Sequence, residues 1–286
     1  MKKNFTLAFL LTCTVAFAPS IDAQIFPSGQ SLNGSTGLFS IPTARVGWED
    51  TANVGLDFGF RSIINDAGIT HIPSFTATFF GLIELSAAFD FQPDVYRWAG
   101  RDRSNEDLLF GMKIQLPTAT GTPRNPAIAL GVNAQLLNFA NDHYDYNAIQ
   151  PYIAFTSQGV VLRMPAETTI VFGKTFYPGS QPNNSNIDFG IGINFILFPD
   201  VFGNFVNWII DFSNFDYSSN AWPNRLVFGT NPAWYRGNVS TGFRLNFSTL
   251  SVFSSIKFLV DIVFNDLFDD GSRSFTIGTV LGVPIR

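Results

Sequence analysis

Acidic and basic residues recur at alternate positions of apolar segments, and they are the first candidates for chemistry in this chain. Charges of both signs that face one cavity can line a water-filled conduit and select solutes by field and width. They can also pair across a narrow interior and fill it. We predict that ten such residues line a polar interior that is narrow or plugged rather than wide: Asp57, Arg61, Glu84, Asp90, Lys113, Asp188, Asp211, Arg244, Lys257 and Asp261.

The two histidines are the next candidates, because a hydrolase could use an imidazole as its base. His71 precedes Ser74 by three positions, and His143 lies between Asp142 and Asp145. No spacing here fixes a catalytic triad, which is recognised by geometry rather than by chain order. We expect both histidines to be solvated residues of outer loops, and we predict no catalytic residue.

Two further motifs resemble binding sites only in part. Gly190-Ile191-Gly192 has two glycines of a dinucleotide turn, but it lies inside an alternating segment and no helix follows it. Asp266, Asp269 and Asp270 precede Gly271 without the spaced ligands of a calcium loop, so a turn in an outer loop is the better interpretation. We therefore predict no cofactor and no metal.

The segments that carry these residues alternate between apolar and polar positions. In the stretch 186–197, Ile, Phe and Leu occupy one set of alternate positions, whereas Asp, Gly and Asn occupy the other, with Ile196 as the exception. Side chains of a strand point to opposite faces in turn, so each segment has one apolar and one polar face. This pattern is typical of a closed barrel in lipid with a polar interior.

Twelve such segments predict an all-β fold, a transmembrane antiparallel up-and-down β-barrel of about twelve strands. Most are about nine to eleven residues long, the length that a tilted strand needs to cross hydrocarbon. The predicted strands are 53–62, 72–80, 82–91, 107–116, 127–137, 149–157, 168–177, 186–197, 206–215, 238–247, 255–264 and 274–285.

The connections between these segments alternate broadly between long and short. The links 92–106, 138–148 and 216–237 are long and polar, whereas residue 81 and the links 198–205 and 248–253 are short. Outer-membrane barrels have long loops outside and short turns on the periplasmic side. Two links on the predicted periplasmic side, 117–126 and 158–166, are longer than this rule predicts.

The first residues have the features of an export signal. Lys2 and Lys3 precede the apolar stretch 6–18, and cleavage after Ala23 would leave a mature chain without cysteine, since Cys13 is the only one. A lipoprotein cysteine at Cys13 is the alternative. We expect a signal peptide at 1–23, an N-terminal segment at 24–52 and the barrel at 53–286. The segment 24–52 could be a lumen plug, a periplasmic arm or an additional strand.

Part of the N-terminal segment resembles a known family. Gly37-Leu38 and Pro42-Thr43-Ala44, followed by a strand that begins near Val54, are similar to the entry motif of YjbH-type outer-membrane barrels, which are linked to exopolysaccharide export. The resemblance covers about thirty residues. It implies an outer-membrane barrel, and it implies no catalytic residue.

Together these patterns predict a barrel of the cell outer membrane with a passive, porin-like transport role or a role in envelope structure. The partners expected are outer-membrane lipid, the barrel-assembly machinery and a small polar solute. A net charge of −5 with no basic cluster excludes nucleic acid as a partner. The alternatives are a lipid hydrolase at the membrane rim, a surface or adhesive β-protein that transports nothing, and a soluble β-sandwich.

Overall fold

The computed structural model describes residues 26–49, 53–65, 68–91, 106–117, 126–136, 147–176, 187–215, 237–253, 255–268 and 273–285. Two short strands come first, β1 (Gly29–Gln30) and β2 (Thr36–Gly37). Twelve longer strands follow: β3 (Val54–Asn65), β4 (Gly68–Phe79), β5 (Ile83–Phe91), β6 (Glu106–Gln115), β7 (Ala127–Leu136), β8 (Asn147–Val161), β9 (Met164–Gly173), β10 (Asp188–Ile196), β11 (Val206–Ser213), β12 (Asn238–Asn246), β13 (Lys257–Asn265) and β14 (Ser274–Ile285).

The twelve long strands form a closed barrel. Each strand pairs antiparallel with the next one along the chain, and β14 closes the sheet by pairing with β3. Closure leaves no unpaired sheet edge, so the strand backbone is satisfied within the sheet. The prediction of an antiparallel up-and-down barrel of about twelve strands is confirmed.

The alternation in the sequence separates an outer from an inner face of the barrel. Phe58 and Phe60 of β3 are exposed, whereas Asp57 and Arg61, which flank them in the sequence, are buried. The other strands repeat this division. Among strand residues whose side chains the structure describes, no outward position carries Asp, Glu, Lys or Arg. The described part of the outer wall is therefore uncharged and mostly apolar.

Two hairpins are longer than predicted, because their strands stay paired beyond the segments in which apolar and polar residues alternate. β3 and β4 extend until Asn65 pairs with Gly68, so His71 lies inside a strand and the prediction of a loop position was wrong. Likewise β8 and β9 extend to the turn formed by Leu162 and Arg163, whose φ angles are 52° and 67°. Positive φ at both central residues is typical of a type I′ hairpin turn, whose twist matches the right-handed twist of the paired strands.

The two ends of the barrel differ in their connections. At the end where β3 begins, the links are residues 80–82, 116–126, 162–163, 197–205 and 247–256. At the opposite end they are 66–67, 92–105, 137–146, 174–187, 214–237 and 266–273. The links at the first end have 2 to 11 residues, whereas those at the opposite end have 10 to 24 residues, apart from 66–67 and 266–273.

In the described residues, helical structure occurs only in the connections between strands. A one-turn helix, α1 (Pro199–Phe202), lies between β10 and β11, and two single-turn 3-10 helices, Phe247–Thr249 and Ser251–Phe253, lie between β12 and β13. Within the described ranges, no helix has the length and apolar character needed to cross a bilayer.

Candidate functional site

Residues 26–49, which we call the plug, occupy the interior of the barrel. Asn33 Nδ2 donates to Asn133 Oδ1 on β7 at 2.8 Å, while the Phe39 amide donates to Asp211 on β11 at 2.8 Å. Ala44 contacts β8 in the same way, through a 2.8 Å bond from its amide to Thr156 Oγ1. Contacts to strands on different sides of the wall place the plug inside the lumen. The described residues 26–49 of the predicted N-terminal segment therefore lie in the lumen.

The plug has little secondary structure of its own. β1 and β2 form a two-residue ladder, and Thr43 N donates to Thr36 O at 3.1 Å across a turn in which Leu38 N donates to Ile41 O at 3.0 Å. A Cβ at Gly37 would lie 2.3 Å from the Ile41 carbonyl oxygen, so only glycine allows this close approach. Most other plug amides and carbonyls need partners from the wall, because buried backbone groups must be paired.

Two wall carboxylates accept hydrogen bonds from plug amides. Asp211 receives the amides of Phe39 and Ser40 at 2.8 and 2.7 Å, and it also receives the Ser40 hydroxyl at 2.8 Å. Glu84 receives the amides of Thr36 and Gly47 at 2.8 and 3.3 Å. Hydrogen bonds to an ionised group are about twice as strong as neutral ones. Each carboxylate thus binds two points of the plug backbone.

Wall cations bind plug carbonyls in a complementary way. Lys113 Nζ donates to Thr36 O at 3.0 Å, and Lys257 Nζ donates to Gly47 O at 3.0 Å. Arg244 Nη1 donates to Gly37 O at 3.1 Å, and its guanidinium lies 5.6 Å from the centre of the Phe39 ring. The basic residues therefore hold the same stretch of backbone that the acidic residues hold.

The charged wall residues are also paired with one another. Arg244 and Asp261 form a two-point ion pair at 2.8 and 3.0 Å, and Arg61 joins Asp261 at 3.3 Å. Lys113 contacts Glu84 at 3.0 Å, and Lys257 contacts Asp57 at 2.8 Å. Because an unpaired buried charge is costly, each ion pair depends on both partners.

At the end where β3 begins, the plug supplies charges of its own. Arg45 contacts Glu167 of β9 at 2.8 Å and Glu49 at 2.9 Å, and Gln115 donates to Glu49 at 2.6 Å. Burial opposes the charge of Arg45, but the two carboxylates outweigh it, and the pKa of this guanidinium is raised above its ordinary value. Trp48 Nε1 donates to Asp57 at 2.9 Å. These contacts fasten the end of the plug that leads into β3.

Apolar plug residues fill space that wall glycines leave. Leu38 and Ile41 are fully buried against the inner face of β10. A Cβ at Gly192 would lie 2.4 Å from Leu38 Cδ1, and one at Gly190 would lie 2.7 Å from Ile41 Cγ2. Gly190 and Gly192, the two glycines that resembled a dinucleotide turn, therefore lie where a larger wall side chain would collide with the plug.

The ten residues predicted to line the lumen lie at inward positions of the barrel wall. Eight of them take part in the ion pairs and plug contacts described above. Asp188 instead accepts from Gln150 Nε2 at 2.6 Å and from Thr175 on the wall, and Asp90 is buried on β5. Nine of the ten are buried, and Lys257 is partly buried.

Three charged residues of this network were not predicted: Arg45, Glu49 and Glu167. Glu167 was missed because the predicted strand began at residue 168, although the inward positions 165, 167 and 169 continue the alternation. Arg45 and Glu49 lie in a segment without periodicity, so nothing in the sequence indicated which wall residue each would meet.

The structure describes His71, but it does not describe His143 or most of the calcium candidate. His71 Nδ1 lies 2.9 Å from Ser62 Oγ on the outer face of the barrel, while Ser74 points inward and donates to Gln30. His143, with Asp142 and Asp145, lies outside the described residues, as do residues 269–272 of the calcium candidate. Within the described part of the chain, no group of three or more His, Cys, Asp or Glu side chains could hold a metal ion.

Comparison with known proteins gives structural likenesses at low identity. The chain is similar to the KdgM porin (9% identity, 80% of this chain and 99% of that chain, TM-score 0.46). It is also similar to the outer membrane protein Omp33 of Acinetobacter baumannii (8% identity, 82% of this chain and 98% of that chain, TM-score 0.45). A third similar structure is LpxR from Salmonella typhimurium (8% identity, 80% of this chain and 100% of that chain, TM-score 0.45). No protein-family model and no curated protein sequence matches the chain. The YjbH-type resemblance stays a prediction.

We expect Asp211→Asn to loosen the plug, because the amides of Phe39 and Ser40 lose their ionised acceptor and one of the two acceptor oxygens becomes a donor. Hydrogen bonds to an ionised group contribute about 1.5–3 kcal/mol each, so the population with a displaced plug should rise about tenfold or more. A Leu32→Cys reporter in the plug, in a Cys13→Ser background, measures this as the rate of reaction with a soluble thiol reagent.

Asp188→Asn is the matched control for this experiment, since Asp188 is also a buried inward carboxylate but binds wall side chains. Its labelling rate should stay near that of the parent protein. Equal rates in both variants would contradict a specific role of Asp211 in holding the plug.

Proposed function

We propose that the chain is an outer-membrane β-barrel that spans the bilayer. Its outward strand positions carry large exposed apolar side chains, among them Phe110, Leu130, Phe243 and Leu281, and a protein surrounded by water rarely exposes an apolar surface of this extent. A closed barrel is also one of the two structures that satisfy their backbone in lipid. A soluble β-sandwich would bury its apolar faces between two sheets, whereas this barrel presents them outward.

We further propose that the barrel is a gated conduit for a small polar solute and that the plug is its gate. The observation that carries this proposal is the chemistry of the wall, whose charges bind a loosely structured segment through hydrogen bonds that water can replace. If the plug left, the same charges would line a hydrated, narrow and charge-selective passage.

A role in envelope structure, without transport, is the rival within the same architecture. In that case the plug would stay in place throughout, and the charged wall would serve only to hold it. The two roles differ in whether the plug leaves the lumen while the barrel stays folded.

A disulfide between the plug and the wall distinguishes these roles. Ser40 Oγ and Ser213 Oγ lie 3.4 Å apart, so the double variant Ser40→Cys, Ser213→Cys, in a Cys13→Ser background, is placed to form a crosslink. In planar bilayers we expect the oxidised protein to be closed and the reduced protein to show conductance events. The Ser40→Cys single variant, treated with the same oxidant, is the control. Conductance that persists in the crosslinked protein, or silence in every form, would contradict the gate.

One observation favours a second candidate function, a lipid hydrolase at the rim. Ser62 and His71 are direct partners on β3 and β4, and their side chains are hydrogen-bonded on the outer face beside Phe60 and Phe91. A hydroxyl next to an imidazole is the minimal pair of a nucleophile and its base. A cross-strand bond that satisfies two polar groups in an apolar surface explains the same contact, and for this reason we rank the conduit first.

If this pair were catalytic, His71→Ala and Ser62→Ala would each abolish ester hydrolysis of outer-membrane lipid by the purified protein. The matched control is Ser157→Ala, which removes a hydroxyl from an outward position of β8. We expect all three variants to equal the parent protein in lipid assays. Activity that is lost only in the Ser62 and His71 variants would favour the hydrolase.

A further inference from the structure

Two neighbouring connections at the end where β3 begins are unusually apolar. We call residues 197–205 and 247–253 together the apolar foot. α1 and the two 3-10 helices within it contain no buried residue. Its exposed large apolar side chains are Phe198, Val201 (73% exposed), Phe202, Leu250 and Val252 (82% exposed). A cluster of this kind indicates a surface that contacts something other than water.

The two connections pack on each other and on the outer face of the barrel. The ring centroids of Phe205 and Phe247 lie 5.2 Å apart, and the Asn246 amide donates to the Phe205 carbonyl at 2.7 Å. Phe258, at an outward position of β13, lies 5.1 Å from Phe247 and 5.4 Å from Phe253 between ring centroids. The apolar foot is therefore continuous with the outer apolar surface of the wall.

Local hydrogen bonds satisfy much of the backbone in the apolar foot. The amides of Val201 and Phe202 donate to the Phe198 carbonyl at 2.9 Å, and that of Gly203 donates to the Pro199 carbonyl at 2.8 Å. In the second connection, Leu250 and Phe253 donate to carbonyls three residues earlier, at 3.0 and 2.9 Å. Segments that satisfy their own backbone can enter a medium with few hydrogen-bonding partners.

The charge of the apolar foot suits a lipid interface. Asp200 is its only charged residue, and the remaining polar groups are those of Asn, Ser and Thr. Short amphipathic elements with aromatic and aliphatic side chains lie in the plane of a membrane with their apolar face about 5–10 Å into the boundary between headgroups and acyl chains.

We propose that the apolar foot binds phospholipid, with Phe198, Val201, Phe202, Leu250 and Val252 inserted into the leaflet next to the end where β3 begins. This inference rests on the proposed bilayer-spanning barrel. We commit to lipid rather than to a protein partner because the outer wall with which the foot is continuous is itself the surface assigned to lipid. The foot extends that surface beyond the ends of the strands β10 to β13.

Site-directed spin labelling tests this inference on the full chain in phosphatidylethanolamine and phosphatidylglycerol vesicles. Single cysteines replace Val201 and Val252 in a Cys13→Ser background. Leu281→Cys reports the lipid-facing wall, and Arg163→Cys reports an exposed charged position in a turn at the same end. Correct folding of each variant is checked by its heat-dependent gel mobility.

We expect labels at 201 and 252 to collide more often with oxygen than with a water-soluble nickel chelate, as the label at 281 should, and the label at 163 should show the opposite order. If 281 shows the lipid pattern but 201 and 252 show the aqueous one, the lipid-binding foot is wrong and the spanning barrel stands. Low accessibility to both reagents at 201 and 252 would indicate a protein partner and would also overturn the inference. An aqueous pattern at 281 would contradict the spanning barrel itself.

Discussion

The structure depends on the pairing of a buried backbone that pairs with itself only in part. The plug forms only a two-residue ladder and a few turns, so its amides and carbonyls inside the lumen require donors and acceptors from the wall. Asp211 and Glu84 supply the acceptors, and Lys113, Arg244 and Lys257 supply donors. The inner face needs both acidic and basic side chains, because the backbone amides of the plug require acceptors and its carbonyls require donors.

This dependence is mutual. Asp261 satisfies Arg244 and Arg61, and Arg244 in turn holds a plug carbonyl. Removing one member of such a network leaves another charge buried without its partner, which costs about 3–5 kcal/mol in comparable cases. The wall ion pairs and the plug backbone therefore form one connected polar network inside the barrel, next to the buried apolar residues Leu38 and Ile41 of the plug.

Much of the barrel could be predicted from the sequence because strand alternation is a local signal. All twelve barrel strands were predicted, and the inward placement of residues such as Asp57 and Arg244 followed from the alternation alone. The extension of the hairpin between β3 and β4 over residues 63–65 and 68–71 was missed because these residues lack clear alternation: Ile63, Ile64 and Ile69 are apolar on both faces. His71 was consequently assigned to a loop.

The contacts of the plug could not be predicted from the same signal. Phe39 and Asp211 are separated by 172 positions, and the plug has no period that indicates which of its groups face which strand. The glycines of β10 were visible in the sequence, yet their purpose depends on Leu38 and Ile41 entering the space beside them. Such complementarity is a property of two distant segments, and neither segment contains it alone.

Amide hydrogen exchange of the membrane-embedded protein tests the central claim most directly, because it reports on the backbone bonds themselves. If wall charges hold the plug, the amides of Thr36, Phe39, Ser40 and Gly47 will exchange far more slowly than those of an open chain, although more readily than the barrel strands. If these four amides exchange at the rate of an unstructured peptide while the strands stay protected, the plug does not occupy the lumen and the account is wrong.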